Sequence, residues 1–70
     1  MVKLRKKKLS EHKYSLYLDT YVNGIRRYEF LKLYLTKDRD QNKEILRLAE
    51  NIRAKKQLLL LNYSYFLLSH

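Results

Sequence analysis

Tyrosine, arginine and lysine alternate through the middle of the chain. In 14-YSLYLDTYVNGIRRYEFLKLYL-35 Tyr17 and Tyr21 before Asn23-Gly24, and Arg26, Tyr28 and Lys32 after it, recur at even spacings within each run, and Arg5 and Lys7 do the same nearer the start. Even spacing puts such residues on one side of an extended chain. Cations interleaved with rings suit nucleic acid. The cations take phosphates or the guanine edge, and the rings pack on sugars, thymine methyls or exposed bases. For any single tyrosine, a general preference for strands is the simpler explanation.

Other chemistries are poorly supplied. His12 and His70 are the only histidines and lie far apart, and with no cysteine there is neither a disulfide framework nor a thiolate zinc site. We expect no metal, no cofactor and no catalytic residue. Sixteen Lys+Arg against seven Asp+Glu give a net charge of +9, which favours a polyanionic partner. Seventy residues make one small domain, and a chain of this size buries only about 60% of its unfolded surface. The start, MVKLRKKKLS, has charge but no apolar stretch of a signal peptide. The run 58-LLLLNYSYFLLS-69 is too short to span a bilayer. The expected location is cytoplasmic and nucleoid-associated.

The elements that must position these side chains read as three strands and then a helix. Strands are expected at about 2–8, 14–22 and 25–35, with a loop over about 9–13. Asn23-Gly24 signals a type I′ hairpin turn. That turn sets a register in which Val22 pairs with Ile25, Leu18 with Glu29, Leu16 with Leu31 and Tyr14 with Leu33. Those pairs form the core face. The opposite face carries Ser15, Tyr17, Asp19 and Tyr21 facing Lys32, Phe30, Tyr28 and Arg26, with Tyr34 beyond. A bulge in the third strand can swap the faces past it, and Phe30 on the open face is the residue that suggests one.

Thr36-Lys37-Asp38 supplies capping oxygens, and Asp38 or Asp40 places negative charge at the positive end of a helix dipole. The helix is expected over about 38–61, roughly 35 Å long. Ile45, Leu48, Ala49, Ile52 and Leu59 should cover Leu4, Leu16, Leu18, Leu31 and Leu33. The fold class is therefore α+β: a three-stranded antiparallel sheet packed on one face by a long C-terminal helix.

The segments 2-VKLRKKKL-9, 14-YSLYLDTYVNGIRRYEFLKLYL-35 and 43-KEILRLAENIRAKK-56 closely resemble the N-terminal arm-type DNA-binding domain of tyrosine recombinases. These are the integrases of bacterial conjugative transposons and phage-like elements. The K-x-S-L-Y-L-D, N-G-x-R-R-Y-E-F-L and E-N-I-R-A-K motifs carry the likeness, which covers about residues 2–57. The resemblance implies a sheet inserted into the major groove of double-stranded DNA at arm sites of a mobile element. The implied contacts are Arg5, Lys7, Tyr17, Tyr21, Arg26, Tyr28 and Lys32. It also implies recombinase core domains as partners in a longer parent protein. The catalytic domain of such recombinases does not fit within this chain, so its seven tyrosines are expected to be structural or binding residues.

The tail 62–70 is read as an apolar helix extension or an oligomerisation segment. The run 58-LLLLNYSYFLLSH-70 departs from the polar continuation usual in the family, and its leucines would invite a homodimer. Two other readings compete. One is a protein-interaction module that binds a recombinase partner, and the other is binding of double-stranded RNA.

Overall fold

The alternation of the first 35 residues builds an antiparallel meander. The computed structural model describes the backbone of residues 1–68 and the side chains of residues 1–62. Strands β1 (Val2–Ser10), β2 (Lys13–Val22) and β3 (Ile25–Leu35) pair in the order β1-β2-β3, and helix α1 (Arg39–Leu68) follows. This is the expected α+β architecture.

Two turns and two irregularities set the register. Asn23 and Gly24 have φ of 53° and 78°, the left-handed pair that a type I′ turn needs, and Val22 pairs with Ile25. The expected loop over 9–13 is instead a turn at Glu11 and His12, with Ser10 pairing Lys13. Pairing shifts between Lys8 and Ser10, leaving Leu9 as the extra residue of a bulge. Such a bulge adds the twist that a short turn without left-handed residues cannot supply.

The register beyond Phe30 differs from expectation. Tyr17 pairs Phe30 as the turn dictates, but Ser15 pairs Tyr34 and Tyr14 pairs Leu35. The expected pairs Leu16–Leu31 and Tyr14–Leu33 do not form. Leu31, Lys32 and Leu33 bulge opposite Leu16, with Lys32 at φ 59°. The pairing slips by two residues, because 15 + 34 exceeds 17 + 30 by two. Side chains alternate with period two, so an even slip leaves the faces unchanged. The bulge is present and the face swap does not follow.

The core is small. Leu18 and Ala49 are fully buried, Leu16 and Val2 nearly so, while Leu4, Leu31, Leu33, Ile45 and Ile52 are half-buried. Ala49 has no side chain beyond Cβ, so the helix backbone can sit close over the sheet there. The helix face is rotated from the one expected. Leu48 is 48% and Leu59 66% exposed, whereas Lys56 and Leu60 are half-buried on the inner side. The inner stripe is thus Ile45, Ala49, Ile52, Lys56 and Leu60, a spacing of three to four that stays on one side of a helix.

Hydrogen bonds pin the helix at both ends of the sheet. Asp38 Oδ1 accepts from the Gln41 amide at 3.1 Å, so of the capping oxygens expected in Thr36-Lys37-Asp38 it is that of Asp38 that caps the helix. Asn42 clasps the preceding corner, donating Nδ2 to Thr36 O at 2.7 Å and accepting the Thr36 amide at 2.9 Å. Further along, the Val2 amide donates to Gln57 Oε1 at 2.8 Å, Arg53 Nη1 donates to Val2 O at 3.3 Å, and Lys56 Nζ lies 3.2 Å from Glu29. At 30 residues the helix is about 45 Å long, beyond the end near Leu61 that sequence suggested and beyond what the strands can cover. Leu58, Leu59 and Leu61 stand in solvent. The side chains of Phe66, Leu67 and Leu68, counted with the apolar tail, and residues 69–70 lie outside the described residues.

Candidate nucleic-acid interface

With α1 on one side of the sheet, the other side is open. Register places its residues in rungs: Tyr21 with Arg26, then Lys3–Asp19–Tyr28, then Arg5–Tyr17–Phe30, then Lys7–Ser15–Tyr34. Six of the seven expected contact residues, Arg5, Lys7, Tyr17, Tyr21, Arg26 and Tyr28, therefore share one surface. Lys32 does not join a rung. It is exposed at the bulge, with its backbone in the left-handed region.

The face is polarised across its width. Cations Lys3, Arg5 and Lys7 line the β1 edge, while Tyr28, Phe30 and Tyr34 line the β3 edge. Between them Tyr17 meets Phe30 at 4.9 Å between ring centroids and Tyr28 edge-on at 5.7 Å. The three rings and Lys7 line a shallow hollow. Two further cations sit over rings at the ends of the face, Lys13 over Tyr34 at 4.7 Å and Arg26 over Tyr21 at 5.3 Å. Such contacts hold rings and cations in place while leaving them open to solvent. Tyr21, Tyr28 and Phe30 are each about half exposed, at 51%, 58% and 49%. An exposed aromatic patch rimmed by cations is a candidate binding surface and not a core.

Two members of this face are buried, Ser15 and Asp19, and Asp19 alone of them is charged. The Asp19 side chain is only 6% exposed, between Arg5 and Arg26. Its Oδ2 accepts from Arg5 Nε at 2.7 Å, and its Oδ1 lies 3.4 Å from Arg26 Nε. Sequence reasoning placed Asp19 on this face but missed its part, because both contacts run diagonally between rungs. Phe30 was likewise placed on the open face but left out of the contact set, although it completes the central aromatic group.

A family model for the arm DNA-binding domain matches residues 2–63. The chain belongs to that family. The match covers all three strands and most of the helix, including every residue of the open face named above. No curated protein and no solved structure gave a match. Membership makes this arm domain a DNA-binding module of the integrase type. Among the described residues of the arm domain, no His, Asp and Glu group is set to hold a metal ion. Nor is any helix there long and apolar enough to cross a membrane.

Proposed function

We propose that this arm domain binds duplex DNA by laying the open face of its sheet into the major groove, at arm sites near the ends of a mobile element. The observation that carries the reading is the polarised surface of cations and rings opposite the helix. Three strands spaced at about 4.8 Å span about 10 Å, which matches a major groove about 12 Å wide. On the β1 edge Lys7 meets phosphates of one strand, while Arg5, drawn inward to Asp19, faces base edges. Arg26 reads a base edge, Tyr17, Tyr21 and Tyr28 pack on sugars or thymine methyls, and Lys32 at the bulge reaches the backbone. The module acts by binding and positions recombinase core domains; chemistry on DNA belongs to those domains. The same reading assigns the exposed Leu58, Leu59 and Leu61 to contact with a second copy of the chain.

Titration of a fluorescent duplex with the purified chain at increasing salt tests this. Neutralising about four to six phosphates gives a log–log slope of roughly −4 to −5. Methylation interference on the bound duplex should then mark guanine N7, a major-groove atom. Protection confined to the minor groove, or tighter binding to duplex RNA of the same sequence, would overturn the groove assignment. A slope near zero would overturn nucleic-acid binding.

A further inference from the structure

The arrangement of Asp19 asks for an explanation that DNA affinity does not provide. A carboxylate on a surface meant for a polyanion repels it, and burying one is costly unless it is paired. Asp19 is nevertheless the most buried charged group of the open face, at 5% exposure. It lies at a recess of about 210 Å³ lined also by Lys3, Arg5, Tyr21 and Arg26. Its Oδ1 has no hydrogen-bond partner among the described residues, the nearest cation being Arg26 Nε at 3.4 Å. Both arginines approach through Nε, the inner nitrogen of the guanidinium. Their terminal nitrogens are the pair that forms the two-pronged bond to guanine O6 and N7 or to a phosphate. Tyr21 braces the Arg26 guanidinium from the side at 5.3 Å.

We infer that Asp19 is a positioning residue for sequence reading: its Oδ2 holds Arg5 by a hydrogen bond from Nε and its Oδ1 draws in Arg26 Nε by charge at 3.4 Å, which presents both forks to base edges before DNA arrives. The inference rests on the groove-binding reading above. An arginine held in place loses less rotamer freedom on binding, but only where the base edge matches its fixed direction. Asp19 therefore lowers affinity for arbitrary DNA and raises discrimination. A purely structural ion pair would change stability and leave discrimination untouched.

The test compares the chain with its Asp19→Asn variant on two duplexes: one recovered from a random library with the wild-type chain, the other a scramble of it. Asp19→Asn keeps the shape and removes the charge. It should bind the scramble more tightly, with a salt slope steeper by up to about 0.9, as one fewer carboxylate opposes the phosphates. The affinity ratio between the duplexes should fall by about tenfold, the scale of one two-pronged base contact. An unchanged ratio in a folded variant would overturn the inference, as would a wild-type selection that yields no preferred sequence. Wild-type failure to bind any duplex would instead overturn the DNA reading itself. If the variant does not fold, the free wild-type chain can still overturn the inference. Its Arg5 Nε–H should exchange with water at least tenfold more slowly than that of Arg47, which is 72% exposed. Equal exchange rates would overturn the inference.

Discussion

The two faces of this sheet are built from the same strands and neighbouring residues, yet they answer to different physics. The helix-covered face buries Leu16 and Leu18, and the helix above it buries Ala49, with almost no solvent exposure. The open face, one residue away at each point, places Tyr17, Tyr28 and Phe30 in half-exposed contact among cations. Burial drives the first, and its interactions are short-ranged, non-directional and intolerant of lost volume. The second keeps its rings half in water, where they add little to stability and stay open to a partner. Substitutions on the two faces should therefore separate stability from binding.

The largest effect should come from the covered face. Leu18→Ala removes a fully buried side chain and should lower stability by about 2–5 kcal/mol in urea titrations followed by circular dichroism. That is most of what a domain this small has, so binding is lost with the fold. Ala49→Leu forces extra volume between helix and sheet and should cost about 1–3 kcal/mol. A neutral Ala49→Leu would mean that the helix does not sit as close as its buried Cβ implies.

On the open face the order of effects reverses. Arg26→Ala, at a side chain 54% exposed, should cost about 1 kcal/mol, since it also takes the nearest cation from Oδ1 of the buried Asp19, whose Oδ2 Arg5 still holds. It should weaken duplex binding by about 1–3 kcal/mol if it reads a base, or reduce the salt slope by about one if it meets phosphate. Unfolding by Arg26→Ala would break the division between faces. Replacing Leu58, Leu59 and Leu61 by serine should shift any dimer seen by sedimentation toward monomer while the monomer keeps its DNA affinity. A full-length monomer at micromolar concentration would remove the self-association reading.

The smallest effect sharpens the comparison at the bulge, where neither face governs. Lys32→Asn keeps a residue tolerant of the left-handed conformation and removes the charge. Stability should hold or rise by a few tenths of a kcal/mol, and duplex affinity should fall by about one phosphate contact, read as a salt slope lower by about 0.9. An unchanged slope would take Lys32 out of the interface.

Local pattern determined much of this protein. Asn23-Gly24 forces left-handed backbone at two successive positions, so the hairpin register from Val22–Ile25 to Tyr17–Phe30 follows from the turn alone. Period-two alternation then assigns each strand residue to a face, which is why Arg5, Lys7, Tyr17, Tyr21, Arg26 and Tyr28 could be grouped without coordinates. Asp38 as N-cap is local for the same reason. Three things were decided only in the folded molecule. The slip at Leu31–Leu33 carries no turn residue to announce it, since a lysine takes the positive φ. The helix rotation that brings Lys56 and Leu60 inward and leaves Leu48 and Leu59 outside depends on where the sheet offers a surface. A helix with leucines around much of its circumference has no single apolar stripe to set that angle. The Arg5–Asp19–Arg26 group joins three strands through diagonal contacts. Alternation names the face a residue occupies, but only the assembled sheet sets which charges on it come within bonding distance.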